Sequence, residues 1–162
     1  MAENSIKVGM ADLKQTHHPG VLVTLGLGSC VGIMLYDRKT KNIGLAHIML
    51  PWSHQAKNNT NKAKFADTGI RQLCELMLES GCRKGSIIAK IAGGAQMFSF
   101  SQGSDTIRIG QRNVEATREV LRELGIPIVS DDTGGNYGRT IECYSDDGRM
   151  MVRTIGYGVH YI

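Results

Sequence analysis

A chain of 162 residues, 41% hydrophobic and 21% charged, has the makeup of a folded globular protein and the length to bury one real core. No apolar run approaches the ~20 residues that span a bilayer, and the opening MAENSIKVGMADLK has no continuous apolar segment of the secretory kind, so a cytoplasmic protein without membrane insertion is expected. The net charge of +4 is scattered, and none of the three Phe, five Tyr and one Trp interleaves with a basic run; this argues against nucleic acid and leaves a mild pull on an acidic protein partner.

In chain order, SIKVGMADL predicts a short strand and its exit. VLVTLGLGSC, VGIMLYD and IGLAHIML read as strands buried on both faces, because their apolar runs are nearly continuous; the turn DRKTKN separates the last two. PWSHQAKNNTNK is an exposed polar loop. The period then changes: Ala66, Ile70, Leu73 and Met77 recur at helical spacing beside Cys74, with Gly81 as the stop. SIIAKIAGG is a further strand ending in a glycine pair, and SFSQGSDTIRIGQ is polar and irregular. RNVEATREVLRELG predicts a second helix with Val114, Thr117, Leu121 and Leu124 inward, closed by Gly125 and Pro127. IPIVSDD is a strand, TGGNYG a structural turn without the lysine of a phosphate-binding loop, and RTIECYS with RMMVRTIGY a hairpin around Asp147-Gly148. No repeat or linker interrupts this order. It predicts one α+β domain over residues 1–162, with mixed or antiparallel sheets packed together and two main helices outside.

The cysteines are Cys30, Cys74, Cys82 and Cys143. None forms a Cys-x-x-Cys pair, so no metal site is expected, nor a disulfide framework in a cytoplasmic chain of this length. Cys74 and Cys143 read as packing, and Cys82, just past Gly81, as the exposed thiol.

Cys30 stands in Gly28-Ser29-Cys30-Val31-Gly32, with Gly26 just before. One reading is a sharp turn that exposes a nucleophile and brings backbone N–H groups of the Gly28-Ser29-Cys30 region near a developing oxyanion. The other is a strand-to-strand kink holding a small buried cysteine. A nucleophile elbow needs a helix next, and VGIMLYD reads as strand. A reactive thiol also needs a base. Of five histidines, His47 alone sits inside an apolar strand, where an imidazole is either a satisfied core residue or a held base. An antiparallel pair around DRKTKN puts Cys30 and His47 at similar distances from the turn, as cross-strand neighbours about 5 Å apart at Cβ. Thr24, polar in an apolar strand, is either an ordinary strand residue or the group that orients the ring. Gly93-Gly94 makes a turn after which Met97 and Phe98 are core anchors or a docking surface for an amphipathic partner helix.

The segments TLGLGSCVGIMLYD, IGLAHIMLP, KFADTGIRQL, AKIAGGAQMF, IGQRN and DTGGNYGR together resemble the CheD family, the chemoreceptor glutamine deamidases of bacterial chemotaxis, from about Val8 to Gly156. The Thr–x5–Cys and Cys–x16–His spacings fit as well. The resemblance implies a cysteine amidohydrolase without metal or other cofactor, in which Cys30, His47 and Thr24 are the catalytic residues. It implies a fold similar to the catalytic domain of the cytotoxic necrotizing factor toxins. It implies, as substrate, glutamine side chains on the cytoplasmic helices of chemoreceptors, and, as partner, a CheC-type phosphatase that competes with receptor. A monomer is the default. Two alternatives stay open on the residues alone: another cysteine hydrolase, and a non-catalytic adaptor that binds receptor or CheC.

Overall fold

The two longest apolar runs of the sequence become β4 (Val31–Asp37) and β5 (Ile43–Ile48), and every residue of both is buried. The computed structural model, which describes residues 5–97 and 108–162, shows why. The two strands lie inside a five-stranded sheet in the order β2-β5-β4-β6-β7, where β2 is Asp12–Thr16, β6 Ile87–Gly93 and β7 Ile128–Thr133. Its outer face carries the two helices, α1 (Ala66–Glu79) and α2 (Ile109–Leu124). Its inner face packs on a second sheet, β1-β3-β8-β9-β10, made of Ser5–Lys7, Val21–Leu27, Arg139–Tyr144, Met150–Thr154 and Gly158–Tyr161. Alternation along β4 sorts its side chains between two cores. Ile33 and Leu35 join Ile70, Leu73, Val120 and Leu121 under the helices. Met34 and Tyr36 join Leu22, Ile141 and Val152 between the sheets. Each sheet has one parallel pair, β1–β3 and β6–β7, among antiparallel ones, so the expected α+β arrangement of mixed sheets and two outer helices is the one found.

Four local expectations are corrected. SIKVGMADL is two strands in different sheets, β1 beside β3 and β2 beside β5, with Ala11 at φ 56° in the turn between them. The C-terminal run continues into β10, all of whose residues are exposed. Helix α2 starts at Ile109, earlier than its apolar pattern indicates, and buries Asn113, Ala116, Thr117 and Val120, while Val114 and Leu124 are only partly buried. Cys82 is buried, not exposed, with its thiol 3.7 Å from the Thr40 hydroxyl. Gly125 closes α2 at φ 73° as expected, a left-handed position where a side chain would be strained.

Topology sets the site. β3 belongs to one sheet and β4 to the other, so Gly28-Ser29-Cys30 is the corner by which the chain crosses between layers. Among the described residues no helix is long and apolar enough to cross a membrane.

Candidate active site

The corner is prepared inside β3. Pairing with β8 slips between Thr24 and Leu27, and Gly26 takes φ 70° in that bulge. Beyond it, three successive carbonyls are held from one side. Gly28 O accepts from Ala95 N–H (2.9 Å), Ser29 O from the Asn113 side chain (3.0 Å) and Cys30 O from Gly94 N–H (2.8 Å). The glycine pair after β6 makes this approach possible, since a Cβ on Gly93 would lie 2.3 Å from Cys30 O. Gly93-Gly94 is therefore first a backbone contact to the cysteine corner. Met97 covers Gly28, where a Cβ would lie 3.2 Å from the Met97 Cγ, and is 45% exposed. Phe98 lies outside the described residues.

The amide groups face differently. In a planar trans peptide the N–H points opposite to the preceding carbonyl. Holding Gly28 O and Ser29 O to one side therefore aims the Ser29 and Cys30 N–H groups to the other. Neither has a partner among the described residues beyond the Cys30 thiol, which its own N–H approaches. Two adjacent N–H donors beside a thiol, neither spent on a backbone ladder, are what a tetrahedral oxyanion requires.

His47 and Thr24 meet across the gap between the sheets, both fully buried. Thr24 Oγ1 lies 2.7 Å from Val8 O and 2.7 Å from His47 Nδ1. The hydroxyl has one proton, and a carbonyl only accepts. Thr24 therefore donates to Val8 O and accepts from Nδ1–H, which assigns the ring tautomer. Nε2 is left as a lone pair, and among the described residues it has no hydrogen-bond partner. Asp12 stands opposite His47 on β2, but its carboxylate accepts from Leu13 N–H instead. The ring's orienting partner is thus a neutral hydroxyl, and burial holds the imidazole below its ordinary pKa of 6.5.

Cys30 and His47 are not directly opposite, as counting from the turn suggests. The β4–β5 register pairs His47 with Gly32, so Cys30, two residues earlier and in the same inter-sheet core, is its diagonal neighbour. Diagonal positions lie about 7–8 Å apart at Cα, within reach of an imidazole. No hydrogen bond joins sulfur and ring in this structure. Burial raises the Cys30 thiol above its ordinary 9.0, partly offset by its own backbone N–H. The resting pair is consequently a neutral thiol and a neutral imidazole. Such a pair can pass the thiol proton to the imidazole as sulfur attacks, which is general-base chemistry rather than attack by a stored thiolate. Among the described residues no three His, Cys, Asp or Glu side chains converge as metal ligands would.

The structure thus brings Thr24, His47, Cys30, Ser29 and Gly28 to one corner, with Gly26 in the bulge that leads to it and Met97 at its rim. Sequence reading missed Asn113. The available signal was its spacing, three residues after Gly110 and four before Thr117, on the buried face of α2.

Residues 49–154 match the model of the family described as CheD chemotactic sensory transduction. The chain is 61% identical, over all 162 residues and the whole of the relative, to the probable chemoreceptor glutamine deamidase CheD of Caldanaerobacter subterraneus subsp. tengcongensis. The chain belongs to the CheD family. A probable CheD of Lachnoclostridium phytofermentans is 54% identical over 93% of this chain and 94% of its own. The chemoreceptor glutamine deamidase CheD of Bacillus licheniformis is 48% identical over 95% and 92%. The family match begins two residues after His47, whereas the full-length similarity to the Caldanaerobacter relative spans Thr24, Cys30 and His47 as well.

Proposed function

We propose that this chain is a protein-glutamine deamidase of chemoreceptors, with Cys30 as nucleophile, His47 as general base and acid, and Thr24 as the residue that holds the ring. The names of its full-length relatives support the reaction and the substrate. The single observation that carries the residue roles is the Nε2 of a buried His47, clamped through Nδ1 by Thr24, without a hydrogen-bond partner among the described residues and diagonal to Cys30 across the β4–β5 pair.

The steps follow from the geometry. Nε2 takes the Sγ–H proton while sulfur attacks the carboxamide carbon. The carbonyl oxygen becomes an oxyanion held by the Ser29 and Cys30 N–H groups; one such donor contributes about 10²–10³ in rate. The tetrahedral centre collapses, the C–N bond breaks, and the imidazolium gives its proton to the departing nitrogen, which leaves as ammonia. Nε2 then takes a proton from water as it attacks the thioester, the C–S bond breaks, and sulfur recovers its proton. Glutamine has become glutamate. A glycine-rich corner suits a target presented on a folded helix, because little side-chain bulk surrounds the sulfur. Met97, half exposed over Gly28, forms the docking rim for a receptor helix or for a CheC-type phosphatase that competes for the same place. The setting is the cytoplasm, where receptor helices carrying these glutamines lie.

Incubation of a chemoreceptor cytoplasmic fragment with the protein, followed by peptide mass spectrometry, tests this. Replacement of NH₂ by OH adds about 1 Da at specific glutamines without chain cleavage. The expected result is that gain with the unaltered protein and none with Cys30→Ala. Unchanged deamidation by Cys30→Ala would overturn the residue roles. No mass change with either, together with normal receptor binding, would make the protein an adaptor.

A further inference from the structure

One fully buried side chain touches both the cysteine corner and the histidine strand, and it comes from a helix. Asn113 sits on the inner face of α2, 0% exposed. Its Nδ2 donates to Ser29 O at 3.0 Å and to Met49 O at 2.9 Å. Ser29 precedes Cys30, and Met49 follows His47 by two residues, just past the end of β5. Both N–H protons of the amide are used, one on each carbonyl. The opposite amide orientation would set Oδ1 against two carbonyl oxygens, so the assignment of nitrogen and oxygen is fixed by chemistry.

We propose that Asn113 is a positioning residue for deamidation: its carboxamide ties the Cys30 corner to the His47 strand and, by fixing the Ser29 carbonyl, aims the Cys30 N–H at the oxyanion. This rests on the proposed roles of Cys30 and His47. Three observations carry it. The β4–β5 ladder ends at the Val31–Ile48 pair, so neither Cys30 nor Met49 is held by the ladder itself. Asn113 supplies the cross-link just beyond that last rung. The peptide it grips is the one whose N–H is Cys30's own. The neighbouring carbonyls of Gly28 and Cys30 are held by backbone donors, Ala95 and Gly94, whereas the middle one depends on this side chain alone. A purely packing role in α2's stripe needs no amide; Ala116 and Val120 fill that stripe with apolar groups.

The effect should be on turnover more than on binding, because the oxyanion exists only in the transition state. Deamidation of a receptor fragment is measured for the unaltered protein, Asn113→Ala, Asn113→Asp, Asn113→Gln and Cys30→Ala, with thermal unfolding of each. Asn113→Ala is expected to lower kcat about 10²-fold with KM within about threefold, the size of a lost oxyanion donor or a misplacement near 1 Å. Asn113→Gln, which keeps two N–H donors, should recover part of the loss. Asn113→Asp, of the same shape but without them, should not. A folded Asn113→Ala within threefold of the unaltered kcat overturns the proposal. If Asn113→Ala does not fold, the other pair decides: Gln more active than Asp supports the bracket, and equal activity overturns it. An active Cys30→Ala would instead remove the underlying residue roles, so the two failures are separable.

Discussion

Cys30 and Cys143 lie in the same apolar layer between the two sheets, and they differ in almost everything that governs a thiol. Cys143 lies within β8, paired with Leu22 on one side and Met150 on the other, with no exposure, and burial drives its pKa far above the thiol range. Cys30 is at the corner where the chain leaves one sheet for the other, is 8% exposed, has N–H groups beside it that no ladder uses, and lies diagonal to the clamped imidazole. On the proposed roles, the same residue type in the same layer is packing in one place and a nucleophile in the other. What separates them is the end of a strand: a mid-strand residue spends its backbone groups on the ladder, and a corner residue does not.

Removing what Cys30 has and Cys143 lacks should show the size of each part. The largest effect after loss of the sulfur itself is expected from His47→Ala, a fall in kcat of about 10²–10⁴-fold, the range of general acid–base catalysis. Steady-state deamidation of a receptor fragment checks it, with Cys143→Ala as the control that leaves kcat unchanged. Thr24→Val keeps the shape and deletes the hydroxyl. It frees the ring and strands the Val8 carbonyl, so an activity loss of about tenfold or more is expected, together with about 1–3 kcal/mol of stability read from urea unfolding.

The smallest effects concern pH. In the unfolded chain His47 takes a proton near 6.5, and in the fold only at lower pH because burial disfavours the charge. Between those values the unfolded state binds more protons. The contribution is therefore fully present above about 6.5 and is lost as pH falls toward the folded value. Activity should fall over the same acid window as the base is protonated. On the alkaline side, iodoacetamide labelling of Cys30 should still be climbing through pH 9, with Cys143 untouched in the folded protein. Labelling of both thiols at one rate would erase the contrast between them.

Much of this arrangement is legible in the sequence, for reasons that also mark where reading stops. β4, β5 and α1 are long apolar or strongly periodic segments, and they appear where their patterns place them. Thr24, Cys30 and His47 stand out because each is a polar or reactive residue in an apolar run. Register does not show, because whether His47 faces Cys30 or Gly32 depends on how the turn at 38–42 closes. The corner does not show either: a glycine-rich stretch between two strands reads alike whether the strands are in one sheet or two. β2 and β10 were missed because they are half-exposed or exposed edge strands without a continuous apolar face. Asn113 does not show because an apolar stripe through Val114, Thr117, Leu121 and Leu124 accounts for the helix without it, and an Asn beside that stripe reads as a solvent-facing residue.

The contrast between the two cysteines rests on a neutral His47 whose Nδ1–H goes to Thr24 and whose Nε2 is free for the thiol. Two-bond ¹H–¹⁵N correlation spectroscopy of ¹⁵N-histidine-labelled protein, assigned with His47→Gln and followed from pH 5 to 8 (a range centred on about 6.5, the free imidazole value), reads that directly. The expected result is a protonated Nδ1 and an unprotonated Nε2 at neutral pH, with titration only below the free-histidine value. An Nε2–H tautomer, or an imidazolium persisting at neutral pH, would contradict it.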